Sequence, residues 1–313
     1  MKAVVLKEAG SVENLVFQDI DQPTIKDNEV LVEVKAISIN PADTKIRMAK
    51  EAITGIYGDV QPVILGWDIA GVVSSVGNNV TKFKKGDRVF GMVNFIGNGS
   101  AYAEFVASPE NQLAIIPENI SFEEAAATTL AALTALQVLE TRVKKDSRVL
   151  IHAGSGGVGH FAIQIAKNLD AYVISTSSSK NRDFILSLGA DEHIDYRNQA
   201  FEEVVSNIDF VLDPMGGGIL EKSVKVLADG GAIICLPQNE FSQEIQDEAK
   251  KKNADVSSIL VQSSGKDMNT LKSLLEAGSL KPTVAKTFPF EQMREAHTEV
   301  EQGRSIGKVI VTL

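Results

Sequence analysis

A strand, a glycine-rich turn and a helix follow one another without interruption near the middle of the chain. Arg148–Ala153 reads RVLIHA, Gly154–Gly159 reads GSGGVG, and an apolar helical pattern begins directly after it. In this order the first glycine permits a tight turn, the second lets backbone approach a phosphate, and the third lets the helix pack on the strand. A helix N-terminus also favours an anion. The segment predicts a pyrophosphate site of a dinucleotide, formed by Gly154, Ser155, Gly156, Gly157, Val158 and Gly159.

The next strand ends in hydroxyls and cations where a ribose-binding acid is usual. The apolar run Tyr172–Thr176 leads into Ser177–Arg182, which reads SSSKNR. Short donors and positive charge suit a 2′-phosphate, whereas a carboxylate repels it. NADPH is therefore predicted over NADH. The alternative is a solvated serine loop whose two cations lie on the first turn of the next helix. The residues predicted to bind this end of the cofactor are Ser175, Ser177, Ser178, Lys180 and Arg182.

Composition and charge argue against nucleic acid and membranes as binding partners. The 313 residues are 44% hydrophobic and carry a formal net charge of −10, and no run of Lys and Arg forms a patch for nucleic acid or anionic lipid. No stretch approaches the roughly eighteen apolar residues of a spanning helix, and the N-terminus lacks the apolar core of a signal peptide. We expect a cytoplasmic protein with no nucleic-acid or membrane partner. The single Cys235 is expected to be a core residue.

The pattern of elements changes along the chain. The first third alternates short β-type runs, such as Glu29–Ile39, with Pro and Gly turns, which is typical of a compact barrel-like domain. Phe122–Glu140 predicts one helix, with a capping box between Ser121 and Glu124. From Arg148 onward strands and helices alternate, which specifies a doubly wound parallel sheet covered on both faces. The predicted fold class is therefore α/β with a second, β-rich domain.

The final segment is expected to return to the first domain, because it does not extend the alternating pattern. The predicted domains are a substrate domain of residues 1–125 and 263–313 and a dinucleotide-binding domain of residues 126–262. A strand at Gly307–Thr312 closes the chain.

Several motifs in this order resemble those of the medium-chain dehydrogenase/reductase superfamily, and in particular its zinc-free quinone oxidoreductase branch. They are Ser38–Arg47, Leu65–Val73, Phe83–Gly91, Ala153–Gly159, Leu188–Asp191 and Gly307–Lys308. The resemblance covers nearly the whole chain. It implies a GroES-like catalytic domain joined to a Rossmann domain, and a homodimer formed through the sheet edge around Phe241–Val261.

The zinc-dependent branch of that superfamily holds its catalytic metal with two cysteines and a histidine. Asn40 stands where the first cysteine would be, Trp67 where the histidine would be, and Leu130–Ala132 offers no third ligand. Gly91–Glu104 has no cysteine for a structural zinc. An amide, an indole and aliphatic groups do not replace thiolate and imidazole ligands, so no metal site is expected.

Without a metal, hydride addition to an electron-poor conjugated acceptor is the expected reaction. In an enone the negative charge moves to the carbonyl oxygen, and a quinone accepts hydride in the same manner, so the protein supplies orientation and hydrogen-bond donors. The resemblance places Asn40–Arg47 beside the nicotinamide. The predicted catalytic residues are Asn40, as an amide donor, Lys45, as a cation near the developing charge, and Tyr57, as a proton donor. The alternatives are a helix cap for Asn40 and a solvated position for Lys45.

Two further residues are predicted to contact NADPH. Thr129 lies on a stretch that the resemblance places near the nicotinamide, although a helical threonine also bonds preceding carbonyls. Lys308 follows Gly307 and could reach the cofactor from the closing strand.

A small-molecule quinone or α,β-unsaturated carbonyl compound is thus the expected substrate. Two alternatives stay open at this point. One is an enoyl-thioester reductase, which would need a basic docking patch that the sequence lacks. The other is a crystallin-like or scaffold protein that binds NADPH with little turnover.

Overall fold

Fifteen β-strands and eleven α-helices make up the chain, which the computed structural model describes from residue 1 to residue 313. They divide into two units. Unit 1 contains residues 1–133, 262–278 and 282–313, and unit 2 contains residues 134–261 and 279–281.

The first part of the chain supplies most of unit 1. Its elements are β1 (Lys2–Leu6), β2 (Leu15–Asp19), β3 (Glu29–Ile39), α1 (Pro41–Met48), α2 (Lys50–Tyr57), β4 (Asp68–Val76), β5 (Arg88–Met92), β6 (Phe105–Pro109), β7 (Ala114–Ile115), α3 (Phe122–Ala127) and α4 (Leu130–Leu139). The division between the units falls within α4.

The central part forms unit 2. Its elements are β8 (Arg148–Ile151), α5 (Gly159–Asn168), β9 (Tyr172–Ser177), α6 (Arg182–Ser187), β10 (Glu192–Asp195), α7 (Phe201–Val204), β11 (Ile208–Asp213), α8 (Gly218–Val226), β12 (Leu227–Cys235), α9 (Gln243–Lys251) and β13 (Asp255–Ser257).

The last part returns to unit 1, with α10 (Gly265–Glu276), β14 (Val284–Pro289), α11 (Met293–Glu301) and β15 (Lys308–Thr312). The sequence patterns had given no sign of β14 or α11.

The sheet of unit 2 is parallel throughout, in the order β10-β9-β8-β11-β12-β13. Its central strands β8, β9 and β11 are buried almost completely, and Leu150, Ile174, Val211 and Ile233 lie in one apolar cluster. Such continuous burial is what helices on both faces of a parallel sheet require. The carboxyl ends of β8 and β9 lie side by side, so the glycine turn and the serine segment occupy one edge of the sheet.

Unit 1 contains a mixed sheet in the order β14-β15-β3-β4-β5-β7, with β6 also pairing with β3. Strand β3 is its centre, because it pairs antiparallel with β15, β4 and β6. The start of α1 and the starts of β4 and β15 therefore converge at one end of β3.

None of the eleven helices has the length and apolar character that crossing a bilayer requires.

The single helix predicted over Phe122–Glu140 is wrong, because the helix breaks between α3 and α4. The Thr128 hydroxyl donates to the Glu124 carbonyl at 2.8 Å, and the Thr129 hydroxyl donates to the Ala126 carbonyl at 2.7 Å. Threonine hydroxyls that bond backbone carbonyls in this way weaken the helical ladder. The capping box is present, with Ser121 and Glu124 exchanging hydrogen bonds of 3.1 and 2.9 Å.

Residues 279–281 belong to unit 2 because side chains of α5 hold them there. Gln164 accepts from the Lys281 amide at 2.7 Å and donates to the Lys281 carbonyl at 3.1 Å. Asn168 donates to the Ser279 carbonyl at 3.2 Å.

Candidate functional site

The glycine turn of unit 2 leaves no room for side chains at two of its positions. A Cβ at Gly154 would overlap the Ser175 hydroxyl, and one at Gly159 would overlap the Ala153 carbonyl. The turn is closed by a bond from the Gly156 amide to the Ala153 carbonyl at 2.9 Å. These contacts give a physical reason for glycine at both ends of the turn.

The same turn presents unpaired donors. The amides of Ser155, Gly157 and Val158 make no backbone hydrogen bond, and α5 begins at Gly159 without a side-chain cap. Unpaired N–H groups at a helix N-terminus, together with the positive end of its dipole, bind phosphate groups. The turn can therefore hold an anion without any charged side chain.

The polar side chains at the end of β9 and just after it divide into an internal and an exposed group. Ser175 donates to the Ile151 carbonyl at 2.9 Å beneath the turn, and Ser177 bonds the His193 ring at 2.9 Å. Both are buried and already engaged. Lys180 and Arg182 are exposed, and Arg182 makes only a 3.6 Å ion pair with Asp183. Ser178 is buried and begins the 3-10 turn Ser179–Asn181.

Asn181 links this segment to the glycine turn, a contact that the sequence reasoning missed. Its amide donates to the Ser155 hydroxyl at 2.8 Å, while its own oxygen is buried without a hydrogen-bond partner. The only sign of this role in the sequence was its position between Lys180 and Arg182, the two cationic residues predicted to bind the cofactor.

Unit 1 contains a buried polar cluster at the start of α1. Asn40 precedes this helix and donates to Asp68 at 2.7 Å, while the Lys308 ammonium donates to the Asn40 side-chain oxygen. Asp68 also accepts from the Leu130 amide at 3.0 Å, at the first turn of α4. The Thr129 hydroxyl lies near enough to Asp68 to lower the pKa of that carboxyl.

A second group of polar side chains adjoins the first. One oxygen of the Asp43 carboxyl accepts a hydrogen bond from the Asn40 backbone N–H at 2.6 Å, but its other oxygen has no donor. The Tyr57 hydroxyl is buried without a partner, and the Tyr102 hydroxyl bonds the His297 ring at 2.9 Å. The side chains of Asp43, Tyr57, Tyr102 and His297 are at most 3% exposed.

Burial changes the acidity of these groups. It raises the pKa of Asp43 to about 7, although the hydrogen bond from the Asn40 backbone N–H acts to lower it. It also raises the pKa of Asp68 and lowers that of Lys308, which the two neighbouring carboxyls partly restore. The pKa of His297 falls to about 3, first from burial and then from the nearby Arg47, so its imidazole is neutral.

The structure thus brings Asn40, Tyr57, Thr129 and Lys308 into one cluster of unit 1, but it does not bring Lys45 there. The Lys45 side chain is exposed and forms no ion pair, because it lies on the outer side of α1. The side-chain amide of Asn40 is also more constrained than the sequence suggested, since its nitrogen donates to Asp68 and its oxygen accepts from Lys308.

The four histidines have separate, mostly internal roles. His152 bridges Thr176 at 3.1 Å and Ser223 at 3.0 Å, and His160 bonds the carbonyl of Gly156 at 2.9 Å. No three of the His, Cys, Asp and Glu side chains form a group that could hold a metal ion.

Comparison with known proteins gives these features a family context. The family model described as "Alcohol dehydrogenase GroES-like domain" matches residues 26–118, and the one described as "Zinc-binding dehydrogenase" matches residues 188–311. The NADPH-dependent alkenal/one oxidoreductase of Arabidopsis thaliana chloroplasts is 33% identical, with 99% of this chain and 79% of that protein aligned. The quinone oxidoreductase of Pongo abelii is 31% identical, with 100% of this chain and 98% of that protein aligned.

The chain belongs to the medium-chain dehydrogenase/reductase superfamily. The solved quinone oxidoreductase from Coxiella burnetii superposes on this superfamily member with a TM-score of 0.92 at 32% identity, over 100% of this chain and 99% of the other. The superfamily fold accordingly combines a Rossmann-like unit that carries the glycine turn with a GroES-like unit that carries the buried cluster.

Proposed function

We propose that the chain is an NADPH-dependent reductase that transfers hydride to quinones or α,β-unsaturated carbonyl compounds without catalytic zinc. The observation that carries the proposal is the pairing of a dinucleotide turn with an acid-free, cationic segment after β9. The relatives named as quinone and alkenal/one oxidoreductases support the same reaction class.

The residues of unit 2 fit the cofactor. The free amides of Ser155, Gly157 and Val158 would hold the pyrophosphate, and the exposed cations Lys180 and Arg182 would hold the 2′-phosphate. When bound, NADPH supplies hydride from C4 of its nicotinamide ring. Ser175 and Ser177 act differently from the sequence prediction, because their hydroxyls stabilise the turn and the neighbouring strand. Direct phosphate contacts are therefore assigned to the cations.

The residues at the zinc-ligand positions of the family do not fit that metal. Asn40 uses its amide to join Lys308 and Asp68, and the Trp67 ring nitrogen donates to the Gly97 carbonyl at 2.8 Å. A thiolate and an imidazole are the ligands that such a site requires. Zinc therefore lacks ligands at these positions, and the acceptor must be activated by its own conjugation and by hydrogen-bond donors.

We also propose that two copies pair through the exposed edge strand β13, which has a neighbour in the sheet on one side only. The expected cytoplasmic location is likewise a proposal. Light scattering of the purified protein would give the mass of a dimer, and a monomer would contradict the pairing.

NADPH oxidation by the purified chain tests the proposed function. Substrates are 1,4-benzoquinone, an alkenal and a cyclic enone, before and after dialysis against a strong zinc chelator. We expect turnover of at least one carbonyl or quinone acceptor, unchanged by chelation. Loss of activity on chelation that zinc restores would contradict the metal-free reaction. NADPH binding with no turnover of any acceptor would instead favour the scaffold alternative.

A further inference from the structure

Asn181 lies at the start of α6, but its side chain does not cap that helix. An asparagine in this position commonly accepts a hydrogen bond from a backbone N–H of the first helical turn. Asn181 makes no such bond, and its Oδ1 is buried without a donor. Its Nδ2 instead donates to the Ser155 hydroxyl of the glycine turn at 2.8 Å. The side chain therefore leaves its own helix uncapped while it holds the turn.

The position of Asn181 is fixed at both its backbone and its side chain. Its backbone N–H donates to the Ser178 carbonyl at 2.9 Å, within the 3-10 turn Ser179–Asn181. The residue is 7% exposed, whereas Lys180 and Arg182 on either side of it are exposed. A buried side chain in close-packed surroundings keeps one rotamer. The amide nitrogen is therefore held against the turn in a constant direction.

The Ser155 hydroxyl has one hydrogen left to donate. A serine hydroxyl donates one hydrogen bond and accepts up to two. Its oxygen accepts from Asn181, and no group of the protein accepts its hydrogen. Ser155 is also partly exposed, unlike Ser175, whose buried hydroxyl donates to the Ile151 carbonyl beneath the turn. The Ser155 hydroxyl is thus available to a ligand, while the protein already satisfies its oxygen.

Three backbone donors lie on the same turn as this hydroxyl. The amides of Ser155, Gly157 and Val158 make no backbone hydrogen bond, and the turn that carries them is closed by the bond from Gly156 to Ala153. Clustered donors next to the N-terminus of α5 form a site for an anion. A hydroxyl that already accepts one hydrogen bond is also a stronger donor, because hydrogen bonds in a chain polarise one another. The bond from Asn181 therefore prepares the Ser155 hydroxyl to bind the same anion as the amides.

Resting on the proposed function, we propose that Asn181 is a positioning residue that directs the Ser155 hydroxyl hydrogen to the pyrophosphate of the dinucleotide. By occupying one lone pair of the Ser155 oxygen, its amide restricts the directions open to that hydrogen. The hydroxyl then adds a side-chain donor to the three backbone amides, and Asn181 itself does not contact the cofactor. Because NADPH and NADH share the pyrophosphate, this contribution is the same for both, whereas that of Lys180 depends on the 2′-phosphate.

Calorimetric titration of the whole protein with three ligands tests the role of the Ser155 hydroxyl. NADPH and NADH contain the pyrophosphate, whereas adenosine 2′-monophosphate contains only the 2′-phosphate. Ser155→Ala should raise the dissociation constants of both dinucleotides about tenfold, because a hydrogen bond to a charged group is lost. The constant for adenosine 2′-monophosphate should change less than about twofold, because that ligand has no group for the turn to bind.

Asn181→Leu tests the positioning role, because leucine has a similar volume and cannot donate. It should raise the constants of NADPH and NADH about fivefold, less than Ser155→Ala does, since the hydroxyl remains but is no longer oriented. In the double variant the constants should equal those of Ser155→Ala alone, because both residues act on one hydrogen bond. Asn168→Ala removes an exposed asparagine at the far end of α5 and is the matched control, with unchanged constants.

A merely structural role of Asn181 gives a different pattern. If Asn181 only anchors the segment that carries Lys180 and Arg182, Asn181→Leu weakens adenosine 2′-monophosphate as much as NADPH, and weakens NADH equally with and without the Ser155 hydroxyl. Either result would overturn the proposal.

If Asn181→Leu does not fold, Asn181→Asp takes its place, because it keeps the size of the side chain and loses the donor hydrogens. Its effect on NADH is then measured with and without the Ser155 hydroxyl, so that the effect of its charge cancels. A larger loss with the hydroxyl present is expected, and equal losses would overturn the proposal.

The two proposals fail in different ways. The expected binding pattern in a protein that reduces no quinone, alkenal or enone would overturn the proposed function and leave the role of Asn181 intact. Turnover of an acceptor, together with additive losses in the double variant, would do the reverse. Binding of neither dinucleotide would overturn both.

Discussion

Lys180 is the residue on which the choice of nucleotide depends most directly. It is exposed at the start of the segment that follows β9, and no carboxylate of the chain pairs with it. Arg182, by contrast, has Asp183 at 3.6 Å. An unpaired cation next to a phosphate contributes to affinity for NADPH and contributes nothing comparable for NADH, which lacks that phosphate.

Lys180→Ala should therefore raise the dissociation constant for NADPH about tenfold or more, because a hydrogen bond to a charged group contributes about 1.5–3 kcal/mol. The constant for NADH should change little. Fluorescence titration with both nucleotides measures the difference. Lys145→Ala, which removes another exposed lysine of unit 2, is the control. Equal weakening of both nucleotides by Lys180→Ala would mean that Lys180 does not recognise the phosphate.

Residue types in a local pattern were enough to predict the glycine turn, because the strand, turn and helix are contiguous. The surroundings of Asn40 were not predictable in the same way. Its partners Asp68 and Lys308 lie 28 and 268 positions away, and only the pairing of β3 with β4 and β15 brings them together. His297, which lies 195 positions from its partner Tyr102, was not predicted as a member of the cluster for the same reason.

At the scale of elements, Lys308 joins the start of β15 to the end of β3 and the start of α1. Its ammonium donates to Asn40 and, at 3.4 Å, to the Ile39 carbonyl, and its charge lowers the pKa of both buried carboxyls, Asp43 and Asp68. Removing one member of a buried charged group is far more destabilising than removing an exposed ion pair.

Lys308→Met keeps most of the side-chain volume and should lower the free energy of unfolding by about 3–5 kcal/mol. The loss should grow as pH rises, because Asp43 and Asp68 then have to ionise without a cation. Denaturant unfolding at two pH values measures it. Lys286→Met, on the exposed part of β14, removes a surface pair with Glu299 and should cost less than about 1 kcal/mol. Similar losses in both variants would contradict a charged Lys308.

The break between α3 and α4 illustrates how tertiary contacts overrule a strong local pattern. Phe122–Glu140 is rich in helix formers, yet the Leu130 amide donates to Asp68 on β4 instead of continuing the first helix. The hydroxyls of Thr128 and Thr129 hold the carbonyls of the preceding turn. A carboxylate from a distant strand acts as the cap of α4, and no spacing rule along the helix identifies it.

At the scale of the whole molecule, the fold class followed from the sequence because its signals are periodic and repeated. Alternating strands and helices specified the parallel sheet of unit 2, and the resemblance supplied the form of unit 1. The returning segment was foreseen only in outline: β14 is short and largely exposed, so it lacks an apolar run, and α11 has few apolar residues. The position of the boundary between the two units, within α4, was also not predictable from local sequence. It depends on the packing of the preceding helix α3 against β3 and β4 of unit 1.

In the proposed reaction the chain moves hydride from NADPH to the β-carbon of a conjugated acceptor. The most direct test is a reaction of a cyclic enone with NADPH deuterated at the transferring C4 position, followed by mass spectrometry and NMR of the product. We expect a saturated ketone that carries one deuterium on the former β-carbon. An allylic alcohol with deuterium on the carbonyl carbon, or a product without the label, would contradict it.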